Sequence, residues 1–153
     1  MTRFTLDASA LLALIQGERG CERVLAALEE GDSIISAVNL CEVMTKLILT
    51  GVPSATAETI VYGIPVQSVA IDDAIAVAAA RLAMIGKPLG LSLGDRICLA
   101  TAQAGGGTVL TTEQIWQNLS LAGVVIETIR KPLETQKAPT KPTPPKGRPK
   151  RKP

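Results

Sequence analysis

Residues 1–130 alternate between short apolar runs, typical of buried strands, and longer segments with apolar residues at helical spacing. The runs predict strands over Arg3–Leu6, Ser33–Ser36, Val66–Ile71, Thr108–Leu110 and Val124–Thr128. The segments between them predict helices over Ala8–Gln16, Cys21–Glu29, Asn39–Thr50 and Ser54–Tyr62, from the cap Asp72 to Ile85, and from Gly94 to the glycines at 105–107. This alternation predicts an α/β fold, a three-layer α/β/α sandwich with a mostly parallel central sheet, whose ligands bind at the carboxyl ends of the strands.

Charge divides the chain into two parts. Residues 1–130 hold 8 Lys or Arg against 13 Asp or Glu, a net charge of −5, whereas residues 131–153 hold 8 against one, a net charge of +7. The second part also contains seven of the 10 prolines and almost no apolar residue. Such a composition cannot build a core, so we predict one folded domain over residues 1–130 and a disordered, basic, Pro-rich tail over residues 131–153.

Residue types that are missing exclude several kinds of chemistry. Histidine is absent, which removes Ser-His-Asp and Cys-His catalysis and every histidine-based metal site. The 3 cysteines form no CxxC pair, which argues against a disulfide framework and a thiolate zinc site. Neither a secretory signal nor an apolar run of roughly 20 residues is found, so we predict a cytoplasmic protein outside the membrane. If the chain is an enzyme, carboxylates must carry its chemistry.

Two aspartates stand at positions where a strand ends or a helix begins. Asp7 directly follows the first predicted strand among apolar neighbours, where an unpaired charge is expensive. It could instead cap the next helix through a side-chain oxygen. Asp95, in LSLGDRICLATA, begins a helix, and its spacing from Ser92 also fits a capping box. Neither aspartate identifies a site by itself.

Two glutamates complete the set of candidate acids. Glu42, in SAVNLCEVMTKLIL, lies close to a predicted buried face, and the alternative is an ordinary i,i+4 pair with Lys46. Glu113, in VLTTEQIW, follows an apolar strand, and the alternative is an acid at a helix start, with Thr111 or Thr112 as the cap.

The four acids predict a metal site because three of them follow predicted strands, whose carboxyl ends gather at one edge of the sheet. Carboxylates that converge repel one another and raise one another's pKa unless a cation neutralises them. Oxygen-only ligands favour Mg²⁺ or Mn²⁺, and such a site suits phosphodiester hydrolysis by an activated water.

The strings DASALLA, SAVNLCEV, GDRICLATA and VLTTEQIW resemble, in order and spacing, the signature blocks of PIN-domain nucleases, and in particular the VapC toxins of bacterial toxin–antitoxin pairs. The resemblance covers the chain from about Thr5 to Ile129. It implies a PIN-like fold, with Asp7, Glu42, Asp95 and Glu113 as catalytic, metal-binding acids, and Ser9 and Thr111 supporting them by hydrogen bonds. The family usually has Asp at the position of Glu113, and the extra methylene could leave only a first metal firmly bound.

The resemblance also implies endoribonuclease activity on RNA such as transfer or ribosomal RNA, homodimerisation, and inhibition by a VapB-like antitoxin that lays a segment across the active-site groove. Two alternatives remain open at this point. One is a non-catalytic PIN-like module that binds RNA or a protein, and the other is a DNA-directed nuclease, since nothing in the sequence recognises a 2′-hydroxyl.

The basic tail suggests a way for an acidic domain to bind a polyanion. We expect its cations to hold RNA loosely while the carboxylates cut, so that deletion of residues 131–153 weakens RNA binding. The alternative is a solubilising extension. The cations concerned are Lys137, Lys141, Lys146, Arg148, Lys150, Arg151 and Lys152.

Overall fold

A five-stranded parallel sheet lies at the centre of the computed structural model, which describes residues 2–130. Its strands are β1 (Arg3–Leu6), β2 (Asp32–Ser36), β3 (Gln67–Val69), β4 (Gly107–Thr111) and β5 (Val124–Thr128). They are arranged in the order β3-β2-β1-β4-β5, and every neighbouring pair is parallel. The central position of β1 brings the end of this strand between the ends of β2 and β4.

Helices connect the strands and cover both faces of the sheet. They are α1 (Ala8–Gln16), α2 (Cys21–Glu30), α3 (Ala37–Leu49), α4 (Ser54–Tyr62), α5 (Asp73–Arg81), α6 (Ala83–Gly86) and α7 (Leu93–Gly105), with short 3-10 helices at Lys87–Leu89 and Gln114–Asn118.

Two hydrophobic cores, one on each face, hold the layers together. Leu110 of β4 packs in the core that contains Leu11 of α1 and Val43 of α3. Its neighbour Val109 packs in the other core, with Leu99 of α7. Consecutive strand residues point to opposite faces, so both faces of β4 are covered by helices. The predicted three-layer α/β/α sandwich is therefore confirmed, and all five described strands are parallel.

The structure differs most from the predicted elements at three places. The third strand is Gln67–Val69 rather than 66–71, and it lies at an exposed edge of the sheet. The helix predicted to run to Ile85 ends at Arg81, and the chain continues through α6 into a 3-10 helix that contains Pro88, which cannot donate a helical hydrogen bond. Helix α3 begins at Ala37 because the Ser36 side chain caps it.

The predicted tail, residues 131–153, lies outside the described residues and stays a prediction. Within residues 2–130, no helix combines the length and the apolar character that a membrane span requires.

Candidate active site

Asp7 stands where β1 ends and α1 begins, and it is 3% exposed. Its side chain makes no capping hydrogen bond to α1, so the alternative of a simple helix cap is wrong. Instead the hydroxyls of Ser9 and Thr111 donate to the carboxylate oxygen Oδ2, at 2.5 Å and 3.1 Å. The Asp7 carboxylate is therefore held from two elements that are adjacent only in the folded chain.

The end of β4 completes this network through its backbone. The Thr112 amide donates to Ser9 Oγ at 3.0 Å, and the Glu113 amide donates to Thr111 Oγ1 at 3.1 Å. Each hydroxyl thus accepts one bond from the backbone and donates its proton toward Asp7. The family resemblance implied that Ser9 and Thr111 support the acids by hydrogen bonds, and the structure puts both hydroxyls in contact with Asp7.

Burial raises the pKa of the Asp7 carboxyl from 3.8 to about 6. The hydrogen bonds from Ser9 and Thr111 lower this pKa, whereas the nearby charges of Asp95 and Glu42 raise it further. Among the described residues, no basic side chain contributes to the shift. Within residues 2–130, the central acid of the site therefore has no cationic partner.

Glu42 and Asp95 are brought to Asp7 by α3 and α7, and each also has the local partner that the sequence suggested. The Glu42 carboxylate lies 3.2 Å from Lys46 Nζ, one turn further along α3. The Ser92 amide donates to Asp95 Oδ2 at 2.7 Å, and the Asp95 amide donates to Ser92 Oγ, which forms a capping box. The local pairing and the place beside Asp7 are therefore compatible.

A buried thiol behind the acids shows the same convergence. Cys98 lies one turn after Asp95 on α7 and is fully buried. Burial raises the pKa of its thiol, and the charges of Asp7, Asp95 and Glu42 raise it as well. The charges of Asp95 and Glu42 thus raise the pKa of two different buried groups, the Asp7 carboxyl and the Cys98 thiol.

Asn39 joins α3 to the start of α7, and the sequence analysis missed it. Its buried side-chain amide donates to the Gly94 carbonyl at 3.2 Å, and its Oδ1 accepts from Ser36 Oγ at 2.5 Å. A side-chain Cβ added at Gly94 would lie 3.0 Å from Glu42 Oε2, so the missing side chain leaves room for this carboxylate. The polar Asn inside SAVNLCEV was the available signal, because a buried amide needs partners.

Glu113 stands apart from the other three acids. It is exposed, and it is absent from the charges that act on Asp7. It lines a cleft of about 450 Å³ beside the site, together with Ser9, Lys46 and Arg130. The structure therefore brings Asp7, Glu42 and Asp95 together, and it leaves Glu113 on the wall of the adjacent cleft.

The acids fit a divalent cation, although their side chains are not arranged around one. In the part of the chain described here, no three Cys, Asp or Glu side chains converge closely enough to form a ligand set. Glu42 is turned to Lys46, and one Asp95 oxygen accepts a backbone hydrogen bond. A hard cation would nevertheless relieve the charge on the buried Asp7, and Mg²⁺ needs only one or two carboxylates because it keeps several waters.

The sequence matches the PIN domain family over residues 4–120. This match spans most of the chain, so the chain belongs to the PIN-domain family. No curated protein matches it. PIN domains are nucleases, which assigns the chain by family to the enzymes that hydrolyse phosphodiester bonds.

Solved structures of toxin–antitoxin complexes share the fold. A toxin–antitoxin complex from Klebsiella pneumoniae is 25% identical, with a TM-score of 0.60 over 82% of this chain and 96% of that chain. DNA-bound VapBC from Salmonella typhimurium is 17% identical, with a TM-score of 0.64 over 85% and 100%. VapBC-1 from nontypeable Haemophilus influenzae is 14% identical, with a TM-score of 0.62 over 84% and 99%. The predicted resemblance to VapC-type PIN toxins is confirmed.

Proposed function

We propose that this chain is a Mg²⁺- or Mn²⁺-dependent endoribonuclease and the toxin of a VapBC-type pair. The observation that carries the proposal is the buried Asp7 carboxylate, which lies beside Glu42 and Asp95 with no basic side chain acting on it in the described residues. A buried charge of this kind destabilises a fold, so its presence favours a role in chemistry.

Asp7, Glu42 and Asp95 are the proposed ligands of the ion. Glu113, on the wall of the adjacent cleft, is the proposed fourth metal-binding acid. The ion would supply charge neutralisation at the phosphate and a more acidic water for attack at phosphorus. Ser9 and Thr111 donate to the same oxygen of Asp7, so they fix its orientation and favour its ionised form. Attack by water at phosphorus would give products with a 5′-phosphate and a 3′-hydroxyl.

The proposed partners are an RNA substrate, such as transfer or ribosomal RNA, a VapB-like antitoxin and a second copy of the chain. Support for the antitoxin comes from the solved structures of the same fold, which are toxin–antitoxin complexes. The cleft also suits a peptide segment, because Leu12 and Leu49 give it an apolar side beside the charged Lys46 and Glu113. We propose that the antitoxin covers this cleft in the cytoplasm and so blocks access to Asp7.

The decisive experiment compares the protein with its Asp7→Asn variant on total cellular RNA, in Mg²⁺, in Mn²⁺ and in EDTA, with new 5′ ends mapped. We expect cleavage by the wild-type protein to require the metal and to fall by at least about 100-fold in the variant, since loss of an outer-shell partner alone reduces activity 10- to 100-fold. Asp73→Asn is the matched control, because Asp73 is an exposed acid at the start of α5, and it should cleave normally.

Parallel reactions on single-stranded DNA separate the remaining alternatives. Cleavage of DNA at a comparable rate would show that the protein is a nuclease that does not distinguish ribose from deoxyribose. RNA that is bound but left intact by metal-loaded, antitoxin-free protein would favour a non-catalytic binding module, and Glu113→Asp would then test whether this position had weakened the site.

A further inference from the structure

Two basic side chains, Lys46 and Arg130, line the cleft beside the acids. Three other cations of the described domain are engaged elsewhere: Arg3 pairs with Asp32, Arg23 pairs with Glu127, and Arg96 donates to the Ala79 carbonyl. The remaining three do not line this cleft: Arg19, Arg81 and Lys87. A polyanion that enters the cleft toward Asp7 therefore meets Lys46 and Arg130.

Lys46 and Arg130 differ in the acid with which each forms an ion pair. Arg130 pairs with Glu18, which lines the same cleft and has no place among the charges that act on Asp7. Lys46 pairs with Glu42, which does act on Asp7 and is one of the proposed metal ligands. Uptake of a metal by the acids would thus leave the Arg130 pair intact and would compete directly with the Lys46 pair.

Breaking the ion pair between Lys46 and Glu42 costs little free energy. Its side chains are 52% and 35% exposed, and an exposed ion pair of this kind contributes at most about 1 kcal/mol. A divalent cation neutralises a carboxylate more effectively than one ammonium group. The flexible four-carbon stem of lysine then allows the ammonium group to move within the cleft.

We propose that Lys46 is a substrate-binding residue that is released by the metal. In the metal-free protein, Lys46 forms an ion pair with Glu42. When Glu42 binds a divalent cation instead, the Lys46 ammonium group binds a backbone phosphate of a single nucleic-acid strand in the cleft. This inference rests on the proposed function, which identifies the cation as Mg²⁺ or Mn²⁺ and the strand as RNA. It explains why Lys46 pairs with Glu42 in the described structure, and why a domain with net charge −5 keeps a cation at this point of the cleft.

The proposal predicts that one substitution changes two affinities in opposite directions. Lys46→Met removes the competitor of the metal, so Mn²⁺ should bind about two- to fivefold more tightly in calorimetry without nucleic acid. The same variant should bind a fluorescent phosphorothioate RNA strand, which resists hydrolysis, more weakly in the presence of Mn²⁺. Its log–log salt slope should fall by about 0.7, the value of one phosphate contact on a single strand.

Two further variants serve as controls. Lys87→Met removes an exposed lysine that does not line the cleft, and it should leave the Mn²⁺ affinity unchanged. Lys46→Arg keeps the charge, so it should retain most of the RNA affinity. Thermal unfolding of Lys46→Met should match the wild type, because the residue is exposed.

Unchanged Mn²⁺ affinity in Lys46→Met would overturn the competition, and unchanged RNA affinity would overturn the phosphate contact. Failure of the proposed function is recognised separately, because a wild-type protein that does not cleave RNA still gives both binding measurements.

Discussion

The amino and carboxyl ends of the central strands differ in whether their charged side chains are paired and exposed to water. At the amino end, Arg3 of β1 and Asp32 of β2 form an ion pair at 2.9 Å, and both side chains are well exposed. At the carboxyl end of β1, only a few residues away, Asp7 is 3% exposed and is surrounded by hydroxyls and two further carboxylates. The amino end pairs its charges locally, whereas at the carboxyl end no basic side chain of the described residues compensates the buried charge.

The backbone shows the same contrast. At the amino end, the strands approach so closely that a Cβ at Gly107 would lie 2.3 Å from the Arg3 carbonyl oxygen. At the carboxyl end, side-chain hydroxyls fill the space between β4 and α1, and a cleft opens beside them. The backbone is therefore closely packed at the amino end, whereas the carboxyl end places charged side chains next to an accessible cleft.

The largest effect on stability is expected at the amino end, from Gly107→Ala. Gly107 has φ of +109°, a backbone conformation that L side chains rarely adopt, and its new Cβ would also overlap the Arg3 carbonyl. Strain and overpacking together should lower the free energy of unfolding by at least about 3 kcal/mol in urea titrations. Gly17→Ala is the matched control: Gly17 has φ of +64° with no atom near the new Cβ, so it should lose only about 1 kcal/mol. Equal losses in the two variants would show that close packing does not distinguish the amino end.

At the carboxyl end, Asp7→Asn should instead stabilise the metal-free protein. The folded protein retains the Asp7 proton up to about pH 6, whereas the unfolded chain loses it near 3.8. Between these values the folded state binds more protons, so its stability falls as the pH rises and stays reduced above pH 6. The amide has no charge to bury, so the variant should gain about 3 kcal/mol at pH 7 and well under 1 kcal/mol at pH 4.

Urea titrations at both pH values, in EDTA and in Mg²⁺, measure this difference. Mg²⁺ should stabilise the wild-type protein and leave Asp7→Asn unchanged, because ligand binding to the folded state adds to its stability. A variant that is less stable than the wild type at pH 7 in EDTA would contradict an uncompensated charge at Asp7.

Part of the candidate site was predictable because its contacts join residues that are close in the sequence. The capping box of Ser92 and Asp95 and the pair of Glu42 with Lys46 join residues three or four positions apart, so their spacing is visible in the sequence. The periodicity of apolar residues likewise predicted five strands and the layers around them. One error arose where a boundary depended on a side-chain cap, at the start of α3. Another arose at the end of α5, where the chain turns at Leu82 before α6.

The rest of the site depends on contacts between distant parts of the chain. Asn39 reaches Gly94 across 55 positions, and Thr111 reaches Asp7 across 104. No periodicity within a segment encodes such a contact; the family resemblance supplied Thr111, and Asn39 was missed. The separation of Glu113 from the other acids was equally hidden, because it follows from how the chain leaves β4 and enters a 3-10 helix.

The smallest effect is expected from the exposed ion pair at the amino end. Arg3 and Asp32 have side chains that are 45% and 38% exposed, so water screens their attraction and side-chain entropy opposes it. A double-mutant cycle of Arg3→Ala and Asp32→Ala should give a coupling of less than about 1 kcal/mol, and salt should reduce it further. Neither substitution should alter RNA cleavage, since the pair lies at the opposite end of the strand from Asp7. A coupling of several kcal/mol would contradict the screening of this pair by water. A loss of cleavage in either variant would mean that the two ends of the sheet are not independent.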